Sequence, residues 1–133
     1  MTRVLPRYLS DTRGASAVEF ALVAPVFLAF LFGTIQTGMA FYKANTVQFA
    51  LEQTARRVMV NQDMTQSQVQ SWFNGELDDI ISENVTVSYS VSNSGDVSIA
   101  RFAAAYTYEF VIPFVPAFEV TFDAVAEVPL EPD

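Results

Sequence analysis

Sixteen consecutive residues, Phe20 to Ile35, carry no charge and one polar side chain, Thr34. A run of that kind cannot lie open to water, and its length decides what covers it. Apolar character extends from Ala15 to Tyr42, is broken in charge only by Glu19, and stops at Lys43. About 20 apolar residues cross the hydrocarbon of a bilayer as a helix, so the segment is long enough to span. Arg3, Arg7 and Arg13 precede it, one Lys follows closely, and ten of the fifteen acidic residues lie beyond residue 77. The positive-inside rule then puts the N-terminus in the cytoplasm and the acidic remainder on the other side. A cleaved secretory signal would be shorter and would end in a clean A-x-A site. The same segregation explains how a positive mean hydropathy (+0.26) coexists with a net charge of −8.

The 133 residues suffice for one modest domain. Cys and His are both absent. That removes disulfides, thiolate chemistry, the commonest metal ligand and the commonest general base. No GxSxG, HExxH, P-loop or glycine-rich dinucleotide fingerprint occurs. Asp78 and Asp79 are helix neighbours pointing in different directions, and Glu109, Glu119 and Asp123 read as solvated strand residues without calcium-loop spacing. The expectation is a non-enzyme with no cofactor and no metal. Nucleic acid is disfavoured too: from Ala15 onward four basic residues face fourteen acidic ones, a net charge of −10.

Periodicity organises the remainder. Pro25 should kink the span locally. Ala40, Ala44, Val47, Leu51, Ala55 and Val58 recur at helical spacing, and no Pro or Gly intervenes between Lys43 and Val60. The span should therefore run on as one helix to Val60, roughly 70 Å at about 1.5 Å per residue. Gly33, Gly38, Ala29, Thr34, Thr37 and Ala40 make part of it small-sided, which permits close helix approach. Gln36 has two uses open to it, a bond across that interface or a place near the headgroups. Thr65 and Gln68 have capping-box spacing ahead of a second helix, with Val69, Trp72, Phe73, Leu77, Ile80 and Ile81 as its apolar stripe.

From Val85 the period becomes two. Val85, Val87, Tyr89 and Val91 form one strand face, and Asn93-Ser94-Gly95 has the form of a three-residue hairpin loop that sets Val91 opposite Val97 and Tyr89 opposite Ile99. Apolar parity then changes between Ile99 and Phe102, so a bulge near 100–102 is expected. Pro113 and Pro116 end that strand. A third strand puts Phe118, Val120, Phe122, Ala124, Ala126 and Val128 on the buried side, with Phe110 opposite Val120 and Tyr108 opposite Phe122. Glu119, Thr121, Asp123 and Glu127 take a wet acidic face. Pro129 and Pro132 should close the chain in an exposed tail. The expected fold is α+β: a long N-terminal transmembrane and amphipathic helix, a second short helix, and an antiparallel sheet of about three strands. Its divisions are a leader (1–14), the span (15–42), the helix continuation (43–60) and an α+β domain (61–133).

The junction Arg13-Gly14-Ala15-Ser16-Ala17-Val18-Glu19-Phe20 carries the most specific information. Gly14 has no side chain, so its backbone can be approached closely. A carboxylate such as Glu19 costs about 2.5–3.5 kcal/mol at the centre of a membrane helix and less toward its edge, so a residue of this kind is a functional candidate. A solvated Glu19 favouring the positive helix N-terminus is the plain alternative. The run from Gly14 to Leu28 resembles the processing site of type IV prepilins, and more closely the opening of the TadE-like family of Tad (tight adherence, Flp) pilus systems. The resemblance is strong over residues 13–60 and architectural beyond.

It implies cleavage between Gly14 and Ala15 by a prepilin peptidase. It also implies an assembly role for Glu19 and Phe20, with Glu19 paired to the new amino terminus of a neighbouring subunit. The implied role is a minor pilin or pseudopilin supporting pilus assembly and adhesion. Its partners would be other Tad pilins and pseudopilins, the inner-membrane assembly platform and the lipid bilayer. The chain would cross the inner membrane once with its C-terminal domain periplasmic, or extracellular within a pilus. A stand-alone membrane-anchored periplasmic binding domain shares this topology but needs neither the cut nor Glu19.

Overall fold

The computed structural model describes residues 13–77, 81, 85–94 and 97–130. One helix, α1 (Arg13–Val60, 48 residues), runs unbroken through Pro25. Its span is rich in β-branched and aromatic residues, yet the polar hydroxyls within it are satisfied locally. Thr34 donates to the Phe30 carbonyl and Thr37 to that of Gly33, each one turn back. Thr46 and Thr54 do the same higher up. Helix α2 (Gln66–Glu76) begins on the expected capping box: the Thr65 hydroxyl accepts from the Gln68 backbone N–H, and the Gln68 side chain accepts from that of Thr65. It stops at Glu76, sooner than the apolar stripe suggested. Leu77 is its C-cap in extended backbone, and buried Ile81 lies beyond the helix. Ile80 lies outside the described residues.

Three antiparallel strands follow in the order β1 (Val87–Ser94), β2 (Val97–Phe110), β3 (Phe118–Leu130). One face packs on α1 and α2. The core combines Val47, Ala50, Leu51, Thr54, Ala55 and Val58 of α1 with Val69 and Phe73 of α2 and with Val87, Ala100, Phe102, Ala104 and Tyr106 of the sheet. It reaches down α1 to Ala40. Thr54 is its buried polar side chain, satisfied by its bond to Ala50. The other sheet face is wet: Arg101, Glu109, Glu119, Thr121, Asp123 and Glu127 are all exposed, as their parity required.

Both hairpin registers differ from those that turn residues suggested. Ser94 pairs with Val97, which places Tyr89 opposite Phe102, its ring stacked at 5.1 Å, and Val91 opposite Ala100. Burial beneath that contact pushes the Tyr89 phenol pKa up. The β2–β3 turn uses seven residues rather than five, so Phe110 pairs with Phe118, Tyr108 with Val120 and Tyr106 with Phe122. That slip is by two residues and keeps the two faces of β3 as expected, but Phe118 and Val120, expected to be buried, are exposed at the end of theirs beyond the core. No bulge interrupts β2. Its ladders run unbroken through residues 100–102, and the parity change has a simpler cause: Val97 and Ile99 sit on the open face, while Ala100 and Phe102 are buried. The tail is also shorter than expected. Pro129 lies within β3 opposite Ile99, and Leu130 is buried. β3 is an edge strand, where a missing N–H can face outward at no cost to the ladder.

The outer edge of β1 is not left open. Gln66 and Gln70, one turn apart on α2, aim their amides along it. Gln70 donates to the Val85 carbonyl and accepts from the Val87 N–H, while Gln66 donates to the Val87 carbonyl and accepts from the Tyr89 N–H. Two side-chain amides thus stand in for a fourth strand and block edge-to-edge pairing there.

Candidate functional site: the N-terminal third of the long helix

Gly14, Ala15, Glu19 and Phe20 occupy the first two turns of α1, and all four are exposed. A methyl group added at Gly14 would meet none of the described residues within 4 Å, so their packing does not demand glycine there. Ala15 and Glu19 are one turn apart and share a helix face. Gly14, Ala15, Phe20 and the Glu19 carboxylate therefore come together by helical spacing alone; among the described residues no other element approaches them.

The surrounding surface is apolar on every side. Val18, Phe20, Leu22, Val23, Val26, Phe27, Phe30 and Ile35 are all more than half exposed. Scattered apolar side chains are ordinary on protein surfaces, but a contiguous belt around a whole helix is not. By length and composition α1 can cross a membrane. The arrangement can bury a helix in lipid or among other helices, and it offers one ionisable group for pairing.

Sequence reasoning left open what Gln36 does. Its amide donates to the Val111 carbonyl and accepts from the Tyr108 hydroxyl, so it binds the β2–β3 hairpin of the same chain. Gly33 faces that hairpin as well, with the Ile112 side chain 3.6 Å from where a Cβ would stand. Small residues on this stretch accept the chain's own turn. Gly38 has open space instead. No grouping of acidic residues that could hold a metal occurs among the described residues.

Residues 14–56 match the family model described as TadE-like protein. The similarity to the TadE-like family covers that stretch, about a third of the chain. The match opens on Gly14, takes in Ala15, Glu19 and Phe20, and ends four residues before α1 does. It associates the TadE-like segment with Tad pilus systems in general, and the apolar belt of α1 accords with membrane anchoring. No curated protein and no solved structure matches the chain.

Proposed function

We propose that this chain is a minor pilin or pseudopilin of a Tad pilus system, cut between Gly14 and Ala15 and joined to its partners through Glu19. The observation that carries this reading is the TadE-like match beginning at Gly14, on a helix whose first turns are exposed among the described residues. A residue spared any packing duty but required by a peptidase fits Gly14. The first turn of a helix lacks intrahelical partners for its N–H groups and frays readily, which suits presentation of the bond to a protease.

Cleavage leaves an α-amino group on Ala15 at the end of an apolar helix. Buried between packed helices, that cation needs a carboxylate, and Glu19 of a neighbouring subunit supplies it. Phe20 adds apolar contact beside the pair. Residues 1–14 act as the leader, 15–42 as the span, 43–60 as its rigid extension, and 61–133 as the exported domain. The topology is single-pass in the inner membrane, N-terminus cytoplasmic and C-terminal domain periplasmic, with the prepilin peptidase, other Tad pilins and the assembly platform as partners. An exported domain of this size would crowd a shaft of very small pilins, which favours a minor or tip position serving adhesion.

Glu19→Ala separates processing from assembly. The variant should be cut and inserted normally, yet in-membrane crosslinking should lose its hetero-oligomer bands while mature-sized protein persists. Unchanged crosslinks with normal piliation would overturn the pairing role and favour a stand-alone anchored domain.

A further inference from the structure

The β2–β3 turn has a composition unlike any other loop in the chain. From Phe110 to Phe118 the sequence is Phe-Val-Ile-Pro-Phe-Val-Pro-Ala-Phe, nine residues without one polar side chain. Turns between strands usually carry Gly, Asn, Asp or Ser, because they face water. Here Phe114 is 75% exposed, and Val111, Val115 and Phe118 are exposed beside it. Phe114 is also the non-glycine residue with positive φ (68°) among those described, an uncommon conformation for a bulky side chain.

The position of this tip says what covers it. It lies against Gly33 and Gln36 of α1, below the buried core and beside the exposed apolar belt. Gly33 is fourteen residues above Glu19, about 21 Å along the helix at 1.5 Å per residue. With Glu19 at the inner edge, that height is still inside a hydrocarbon layer about 30 Å thick. The tip is thus continuous with the lipid-facing surface of the span. Polar markers begin immediately above it: Glu109 pairs with Glu119 one residue beyond the apolar stretch, and Lys43 stands 5.5 Å over the Tyr108 ring. Tyr and Lys at that level are common anchors at a membrane–water boundary.

Part of the turn's backbone is already satisfied within the chain. Lipid tolerates irregular chain only where its polar groups are satisfied. Pro113 and Pro116 have no N–H to satisfy. The Val115 N–H donates to the Ile112 carbonyl, and the Val111 carbonyl accepts from Gln36.

We propose that the 110–118 hairpin tip is a second membrane-inserted element, seated in the outer part of the bilayer beside α1. It rests on the reading that α1 spans the membrane. Two points of insertion, one a helix and one a turn, would hold the exported domain at a fixed tilt above the lipid.

The chain's single tryptophan makes the test direct. In a Trp72→Phe background, Phe114→Trp, Phe27→Trp in the span and Ser90→Trp on the far part of the sheet are each placed in the full chain. The variants are reconstituted in phosphatidylcholine vesicles with and without brominated acyl chains. Phe27→Trp and Phe114→Trp should lose most of their emission in brominated vesicles, and Ser90→Trp should keep it. Val115→Trp repeats the measurement should Phe114→Trp disturb the turn. Quenching at Phe27→Trp with full emission at both tip positions would overturn the proposal and leave the span intact. A blue-shifted tip emission that bromine does not quench would also overturn it, showing the tip covered by another protein surface. Full emission at all positions would remove the spanning reading and the proposal with it.

Discussion

The two halves of α1 are equally helical and both rich in apolar residues, but they spend them differently. From Gly14 to Met39 the apolar side chains surround the helix, and Phe20, Val26, Phe30 and Ile35 stand exposed. From Ala40 to Val58 they form a stripe, and Ala40, Val47, Ala50, Leu51, Ala55 and Val58 are essentially inaccessible beneath the sheet. The stripe lies under the sheet; the belt is largely exposed, with the hairpin tip resting on it at Gly33 and Gln36. A helix apolar on one side announces a core of its own, whereas one apolar all round needs lipid or neighbouring helices. The TadE-like match crosses this divide and ends inside the buried half.

The widest gap should appear on truncating large side chains. Phe73→Ala and Phe102→Ala, both fully buried, should each cost about 3–5 kcal/mol, read in detergent by guanidinium unfolding with Trp72 emission. Phe27→Ala in the belt should cost less than about 0.5 kcal/mol in the same assay. Equal losses would mean that the belt is part of the folding core, and the comparison would fail.

A smaller effect sharpens the account of the buried half. Gln70→Ala removes two bonds to the β1 edge, and should cost about 1–3 kcal/mol. It should also raise self-association of the exported domain, seen by sedimentation, because an unprotected edge invites another strand. A neutral, monomeric Gln70→Ala would show that water replaces the amide without loss. Smallest of all is Glu119→Ala on the wet face, expected within about 0.5 kcal/mol of wild type. Damage comparable to that of Phe102→Ala would mean that the acidic face is an interface.

Local signals in the sequence carried much of this fold. The capping box at Thr65 and Gln68, the helical stripe to Val58 and the alternation of Phe118 to Val128 each reflect one element's own chemistry, and each corresponds to an element found. Errors arose where two elements must agree. Turn residues suggested both hairpin registers, but the exact loop length follows from cross-strand packing such as Tyr89 on Phe102 and Phe110 on Phe118. The supposed bulge rests on placing Val97 and Ile99 on the buried face, whereas both sit on the open face and leave the buried one to Ala100 and Phe102. The amide ladder of Gln66 and Gln70 had no local signature at all, since exposed-looking glutamines on a short helix are common. Gln36 was visible as an anomaly in the span, but its partners lie more than seventy residues away. At the N-terminal site the reverse holds. Gly14, Ala15, Glu19 and Phe20 are joined by helical spacing alone, so the sequence exposes nearly everything the fold says about them.

The proposed processing site separates the two kinds of region most sharply, because Gly14 has a proposed role but no packing neighbour among the described residues. Gly14→Leu should leave unfolding unchanged while halting maturation. The decisive measurement is the intact mass of the wild-type chain recovered from membranes and from sheared pili of cells with an active prepilin peptidase. The account predicts a species beginning at Ala15 in both fractions. Recovery of the chain with residues 1–14 still attached would contradict it.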